Sequence, residues 1–214
     1  MSQVKQNIRI RFSKRGDVRF VSHHDLMRLF ERALRRADLP VALSEGYNPR
    51  LRMSFPMALS VGFSGLNEVA DVGLREWLRP AELQTRLQAE LPTGVEILSV
   101  EPTATHPSRQ ARELVYRVPL LPGHCLREDK VQEFLAKQSV VVQRAREGEV
   151  KEVALRQYVK AVRLDGDCLQ MRLRCTESGT ARPEEVMEAL GCREGVDYSK
   201  GQIERTHVDL SSPR

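Results

Sequence analysis

IRIRFSKRGDVRFVSHHDLMRLFERALRRADLP, residues 8–40, changes its hydrophobic period once. Ile8, Ile10 and Phe12 alternate with Arg9 and Arg11, the period of a half-buried strand with arginines on its open face. Ser22 stands three residues before Asp25, a spacing at which each side chain can bond the other's free backbone N–H, so a helix starts there. Its apolar positions Leu26, Leu29, Phe30, Ala33, Leu34 and Ala37 form one stripe, and Pro40 lies beyond its end. The opposite face carries His24, Arg28, Arg32 and Arg35.

Working outward, SEGYNPRLR (44–52) reads as an ordered loop. It is followed by MSFPMALSVGF, a turn at Ser64–Gly65 and an alternating stretch from Val69 to Trp77, which predict a hairpin. Pro80 opens a helix with Leu83, Leu87 and Leu91, Pro92–Thr93–Gly94 ends it, and Val95, Ile97 and Val100 make a last strand. The order β-α-β-β-α-β over residues 1–100 predicts a ferredoxin-like domain. EPTATHPSRQAR, 101–112, reads as a linker.

Residues 113–214 open with alternating Leu114, Tyr116, Val118 and Leu120, then a helix over about 127–138 and a strand at Val140–Val142. A turn at Glu147–Gly148–Glu149, an apolar stretch from Val153 to Leu164 and an Asp165–Gly166 hairpin turn follow. Alternation from Leu169 to Cys175, a helix from Pro183 and a strand from Ile203 to Leu210 close the chain. The expected fold class is therefore α+β: two tandem ferredoxin-like domains with antiparallel sheets, the second elaborated by an insert between residues 144 and 160.

The 214 residues are 41% hydrophobic and 29% charged, which excludes a disordered tail, and no stretch approaches the roughly 20 apolar residues of a membrane helix. The N-terminus has no apolar segment of secretory type, so a cytoplasmic protein is expected. Cys125, Cys168, Cys175 and Cys192 show no CxxC or CxxxCxxC spacing and read as reduced thiols; no metal site and no cofactor are expected in this chain. The net charge of +5 is unevenly spread: residues 1–52 hold twelve basic and five acidic side chains, and the remainder is slightly acidic. Ten of those twelve are arginines, whose planar guanidinium suits bidentate phosphate contacts, so a polyanionic partner is the natural inference.

Within that basic quarter, His23 falls about 20° from Phe30 on the apolar side of the helix and fits a structural role. His24 lies on the arginine stripe, where a neutral imidazole could act as general acid or base on a phosphodiester, or simply contact phosphate. In the 44–52 loop, Tyr47 could stack a base while Arg50 and Arg52 clamp its phosphate and Asn48 holds the loop or reads a base edge. Alternatively Asn48–Pro49 is only a turn and Tyr47 a core plug. Asp129, Glu133, Glu184, Glu185 and Glu188 read as solvated helix faces or first-turn charges, and no DxD, HExxH, GxSxG or Walker pattern occurs.

SHHDLMRLFERALRRADLP and SEGYNPRLRMSFPMALSVGFSGLNEVADVGL carry a family resemblance. They resemble the radical SAM-linked protein family, an uncharacterised family often encoded beside, or fused behind, a cobalamin-binding radical SAM protein. The matching positions are Ser22, His23, Asp25, Leu26, Met27 and Arg28, then Gly46, Tyr47, Asn48, Pro49, Arg52, Ser54 and Phe55, with Glu68 and Asp71 at acidic positions. Relatives commonly carry His-Pro where this chain has Arg50 and Leu51. The resemblance implies a separately encoded radical SAM partner, since this chain lacks the CxxxCxxC that holds its cluster, and a tRNA or rRNA substrate. The expected function is a non-catalytic RNA-binding accessory module that presents structured RNA to that partner. Arg28, Arg32, Arg35, Arg50 and Arg52 would bind phosphates, with Arg9 and Arg11 joining from the first strand. One alternative is a metal-independent endoribonuclease using His24, or His23, as general acid/base; it resembles tandem ferredoxin-like proteins that process CRISPR RNA but has only Ser178–Gly179–Thr180 in place of their C-terminal glycine-rich loop. The other is a protein-interaction adaptor for the radical SAM enzyme.

Overall fold

Ile8, Ile10 and Phe12 are fully buried on one side of strand β1 (Gln6–Lys14), as their alternation requires. The computed structural model describes residues 4–103, 111–146, 149–196 and 203–210. A 3-10 turn, Gly16–Phe20, leads into α1 (His23–Arg36). Ser22 caps that helix: its Oγ accepts from the Asp25 N–H at 3.2 Å and donates to Asp25 Oδ2 at 2.7 Å. The carboxylate thus grips the capping hydroxyl rather than the Ser22 backbone N–H. Leu26, Phe30, Ala33 and Leu34 form the buried face. After it come β2 (Met53–Ser54), β3 (Ser64–Leu74), α2 (Pro80–Gln88) and β4 (Val95–Thr103).

The chain divides into two compact units, Met1–Ala111 with Leu210–Arg214, and Arg112–Asp209. In the first, β1 lies between β3 and β4, antiparallel to both, and β2 pairs with β3. Phe12, Phe30 and Phe55 meet at one end of its core, with Phe12 and Phe30 ring centroids 4.8 Å apart. Gly94 has φ +95, and a Cβ there would lie 2.6 Å from the Arg15 carbonyl oxygen. Gly94→Ala is therefore expected to destabilise the protein by about 2 kcal/mol, read from chemical denaturation.

In the second unit, β9 (Cys168–Thr176) pairs antiparallel with β5 (Ala111–Pro119), β8 (Val159–Asp165) and β10 (Gly179–Thr180). Between β5 and β8 stand α3 (Glu128–Ala136) and the separate hairpin β6 (Val141–Arg146) and β7 (Glu149–Ala154); α4 (Pro183–Ala189) and β11 (Glu204–Leu210) follow β10. Arg144 ties the hairpin down, binding Glu185 through two contacts of 2.6 and 2.7 Å and the Thr180 carbonyl at 2.9 Å. Glu185 is a first-turn charge of α4, one of the two settings expected for it, but a buried anchor and not a solvated one. The four cysteines are free thiols, and burial pushes Cys192 up to about 11.

Two tandem ferredoxin-like domains with their own antiparallel sheets are not what this sequence forms. The architecture is mixed α/β: nine of the eleven strands belong to one sheet, two form the separate hairpin, and there are four α-helices among the described residues. The second half runs β-α followed by five strands before its next helix, which is not a split βαβ order. In the first half the expected hairpin is much reduced. Ser64–Gly65 begins β3 instead of turning, and only Met53–Ser54 pairs as a strand upstream, because Pro56 has no N–H to donate to a ladder. Trp77 lies beyond the end of β3, 75% exposed. Of the expected linker, residues 101–103 belong to β4 and 111–112 to β5, while 104–110 lie outside the described residues. So do 147–148 of the expected turn. No helix among the described residues is long and apolar enough to cross a membrane.

Candidate nucleic-acid interface

Burying the Leu26/Phe30 stripe of α1 turns its opposite face outward, and with it Arg28, Arg32 and Arg35. Their ties are weak. Arg28 Nη1 lies 3.5 Å from Asp25 Oδ1 with its side chain 70% exposed, and Arg35 bonds Glu31 at 3.1 Å. Exposed pairs of this spacing contribute only a few tenths of a kcal/mol, so both guanidiniums remain available to phosphate. Arg32 donates only to the Arg28 carbonyl, at 3.4 Å. Arg50 has no carboxylate partner among the described residues.

The loop before β2 is built on a clamp. Ser44 N–H donates to the Arg50 carbonyl at 2.7 Å, Arg50 N–H to Ser44 Oγ at 3.0 Å, and Arg52 N–H to the Ala42 carbonyl at 2.7 Å. Ala42 and Arg52 in turn bond the two sides of Gly73 in β3, at 2.8 and 2.9 Å. The tip, 45–49, projects with every residue exposed, and Tyr47 is 99% exposed, so it is no core plug. Asn48 and Pro49 sit on that tip beside it.

α1 is a ridge between two grooves. On one flank, His24, Met27, Arg28 and Glu31 face Arg50, Leu51 and Met53 across about 380 Å³. On the other, Leu29, Arg32 and Arg36 face residues 89–92 across about 590 Å³, where Arg36 is held by the Glu90 carboxylate at 2.7 Å and its carbonyl at 2.6 Å. Arg52 stays at the base of the loop clamp, with its Cβ 3.5 Å from where a Gly73 Cβ would be.

Arg9 and Arg11 do not join this face. Strand alternation puts them on the side of β1 opposite Ile8 and Ile10, away from the helices. There Arg9 makes a bidentate pair with Asp71, both contacts 2.8 Å, and Arg11 donates to Asn67 Oδ1 at 3.1 Å. The histidines also part: His23 packs edge-on against Phe55, centroids 5.8 Å apart, whereas exposed His24 lines the smaller groove.

Glu31 and Met53 were not singled out by sequence, and Met27 and Leu51 only as positions of the family resemblance. Met27 and Glu31 carry a signal in hindsight, lying within about 60° of His24 on the same helical face. Among the described residues no group of three or more His, Cys, Asp or Glu is placed to hold a metal ion. Of the acids weighed as surface charges, Glu133 lies between Lys130 and Lys137 at 3.0 and 3.3 Å, which hold its carboxyl below the usual range, and Glu188 pairs with Arg193 at 3.0 Å.

Residues 7–183, which include the whole of this ridge, loop and groove, match a family described as an uncharacterised protein conserved in bacteria, DUF2344. The chain belongs to that family. No curated protein matches it. The family match runs through the clamp, the 45–49 tip and both flanks of α1 and continues into α4 of the second unit.

Proposed function

We propose that this DUF2344 protein is a non-catalytic RNA-binding accessory module that presents structured RNA to a separately encoded radical SAM modification enzyme. The observation that carries the RNA half is the ridge: weakly tied arginines on α1 stand beside a groove whose far wall bears Arg50, and the loop that supplies Arg50 carries a fully exposed tyrosine at its tip. Guanidiniums supply phosphate contacts, and an unobstructed aromatic ring supplies a stacking platform for an unpaired base, the usual pairing in single-strand recognition. The partner half rests on the resemblance to radical SAM-linked proteins and on the missing CxxxCxxC.

The test is fluorescence anisotropy of the purified full chain with tRNA, an rRNA fragment and duplex DNA over a range of salt. RNA-preferring, saturable binding is expected, with RNA left intact. In Arg28→Ala/Arg32→Ala the salt slope should fall by roughly 0.7 to 1 unit per lost arginine. Absence of binding at modest salt would overturn the proposal in favour of a protein-interaction adaptor. RNA cut without metal and spared by His24→Ala would overturn it in favour of an endoribonuclease.

A further inference from the structure

We infer that the smaller groove beside α1 is a pocket for one unpaired guanine, a specificity that rests on the RNA-binding reading above. At about 380 Å³ the groove is at the small end of ligand pockets, the scale of a single nucleotide and not of a duplex. Its composition is divided. Met27, Leu51 and Met53 give an apolar, polarisable floor on which a base plane can rest. Arg28 and Arg50 stand on opposite walls, from α1 and from the loop, placed for the phosphates on either side of an inserted nucleotide.

Glu31 decides which base. It is the one carboxylate in the lining, its side chain is 38% exposed, and Arg35, which is not part of that lining, binds its Oε1 at 3.1 Å. A carboxylate offers two acceptors and no donor. Guanine answers with two parallel donors, N1–H and the N2 amine. Adenine and cytosine each present one amine beside a ring-nitrogen lone pair, and uracil one N3–H between two carbonyl oxygens, so each sets a lone pair against the carboxylate. Those guanine donors are occupied in a Watson–Crick pair, so the base must be unpaired to enter. Tyr47, exposed on the tip of the loop that supplies Arg50, then stacks a neighbouring base.

The experiment is anisotropy of the full chain with labelled UUGUU, UUAUU and UUUUU and a fully paired G–C duplex of RNA. UUGUU is expected to bind about tenfold tighter than the other two pentamers, a modest yield for a bidentate contact. In Glu31→Gln that preference should collapse to within about twofold while affinity for UUUUU is unchanged or higher, because a phosphate-repelling charge has gone. Equal binding of the three pentamers, or a preference that survives Glu31→Gln, overturns the guanine pocket and leaves RNA binding standing. Failure of every RNA to bind overturns both. Glu31 is half-buried outside the core, so the variant is expected to fold, and an unchanged thermal midpoint verifies that.

Discussion

Asp71→Ala is expected to lower the unfolding free energy by about 3–5 kcal/mol, measured by urea titration at neutral pH. Asp71 is 1% exposed, and both its oxygens bind Arg9, whose own side chain is only 12% exposed. The pair is positioned by register, since Arg9 faces Asp71 directly across β1 and β3. Removing the carboxylate leaves a guanidinium desolvated and uncompensated, which costs far more than the pair contributes net. Arg9→Leu/Asp71→Leu should accordingly recover most of the loss, and the double-mutant cycle should show strong coupling. A loss below about 1 kcal/mol in Asp71→Ala would mean that Arg9 swings into solvent, where it could serve phosphate after all.

Lys14→Met is expected to destabilise the protein by about 3 kcal/mol. Lys14 is fully buried, and its ammonium donates to the Val21 carbonyl at 2.7 Å and the Arg19 carbonyl at 3.3 Å. Those carbonyls belong to the backbone just before Ser22, so the lysine fixes the direction in which α1 starts. Methionine fills the volume but leaves the oxygens buried without that donor. The loss should therefore appear twice: as a lower thermal midpoint, and as weaker RNA binding at temperatures where the variant is still folded. Unaltered RNA affinity in the folded variant would show that the start of α1 holds without the lysine.

The β1–α1 segment was legible because it is locally self-consistent. A period of two gives way to a helical stripe at Ser22, and the observed helix, His23–Arg36, begins where that cap requires. The middle of the first unit was not. MSFPMALSVGF has strand-like residues, yet Pro56 removes a donor and only Met53–Ser54 finds a partner. Nor does the order of elements name their hydrogen-bond partners, and that is why a tandem of small sheets was expected where nine strands share one.

The same limit shaped the site. In sequence Arg9 and Arg28 look alike; what separates them is Asp71, 62 positions along the chain from Arg9 and brought opposite it only by the ladder. Tyr47 could be plug or platform until the Ser44–Arg50 clamp decided which way the tip faces. Met53 read as a strand residue, Leu51 as part of the loop and Met27 only as a position of the family resemblance, and they become a groove floor only when the loop is folded against α1.

That clamp separates two selective pressures. Because the base of the loop is fixed by Ala42, Ser44, Arg50 and Arg52 against β3, residues 45–49 touch little that the fold depends on. What restrains the tip is therefore its target more than its packing. Replacing its aromatic ring or its amide should change binding while leaving the stability of the core almost untouched, so at this tip recognition and folding can be altered separately.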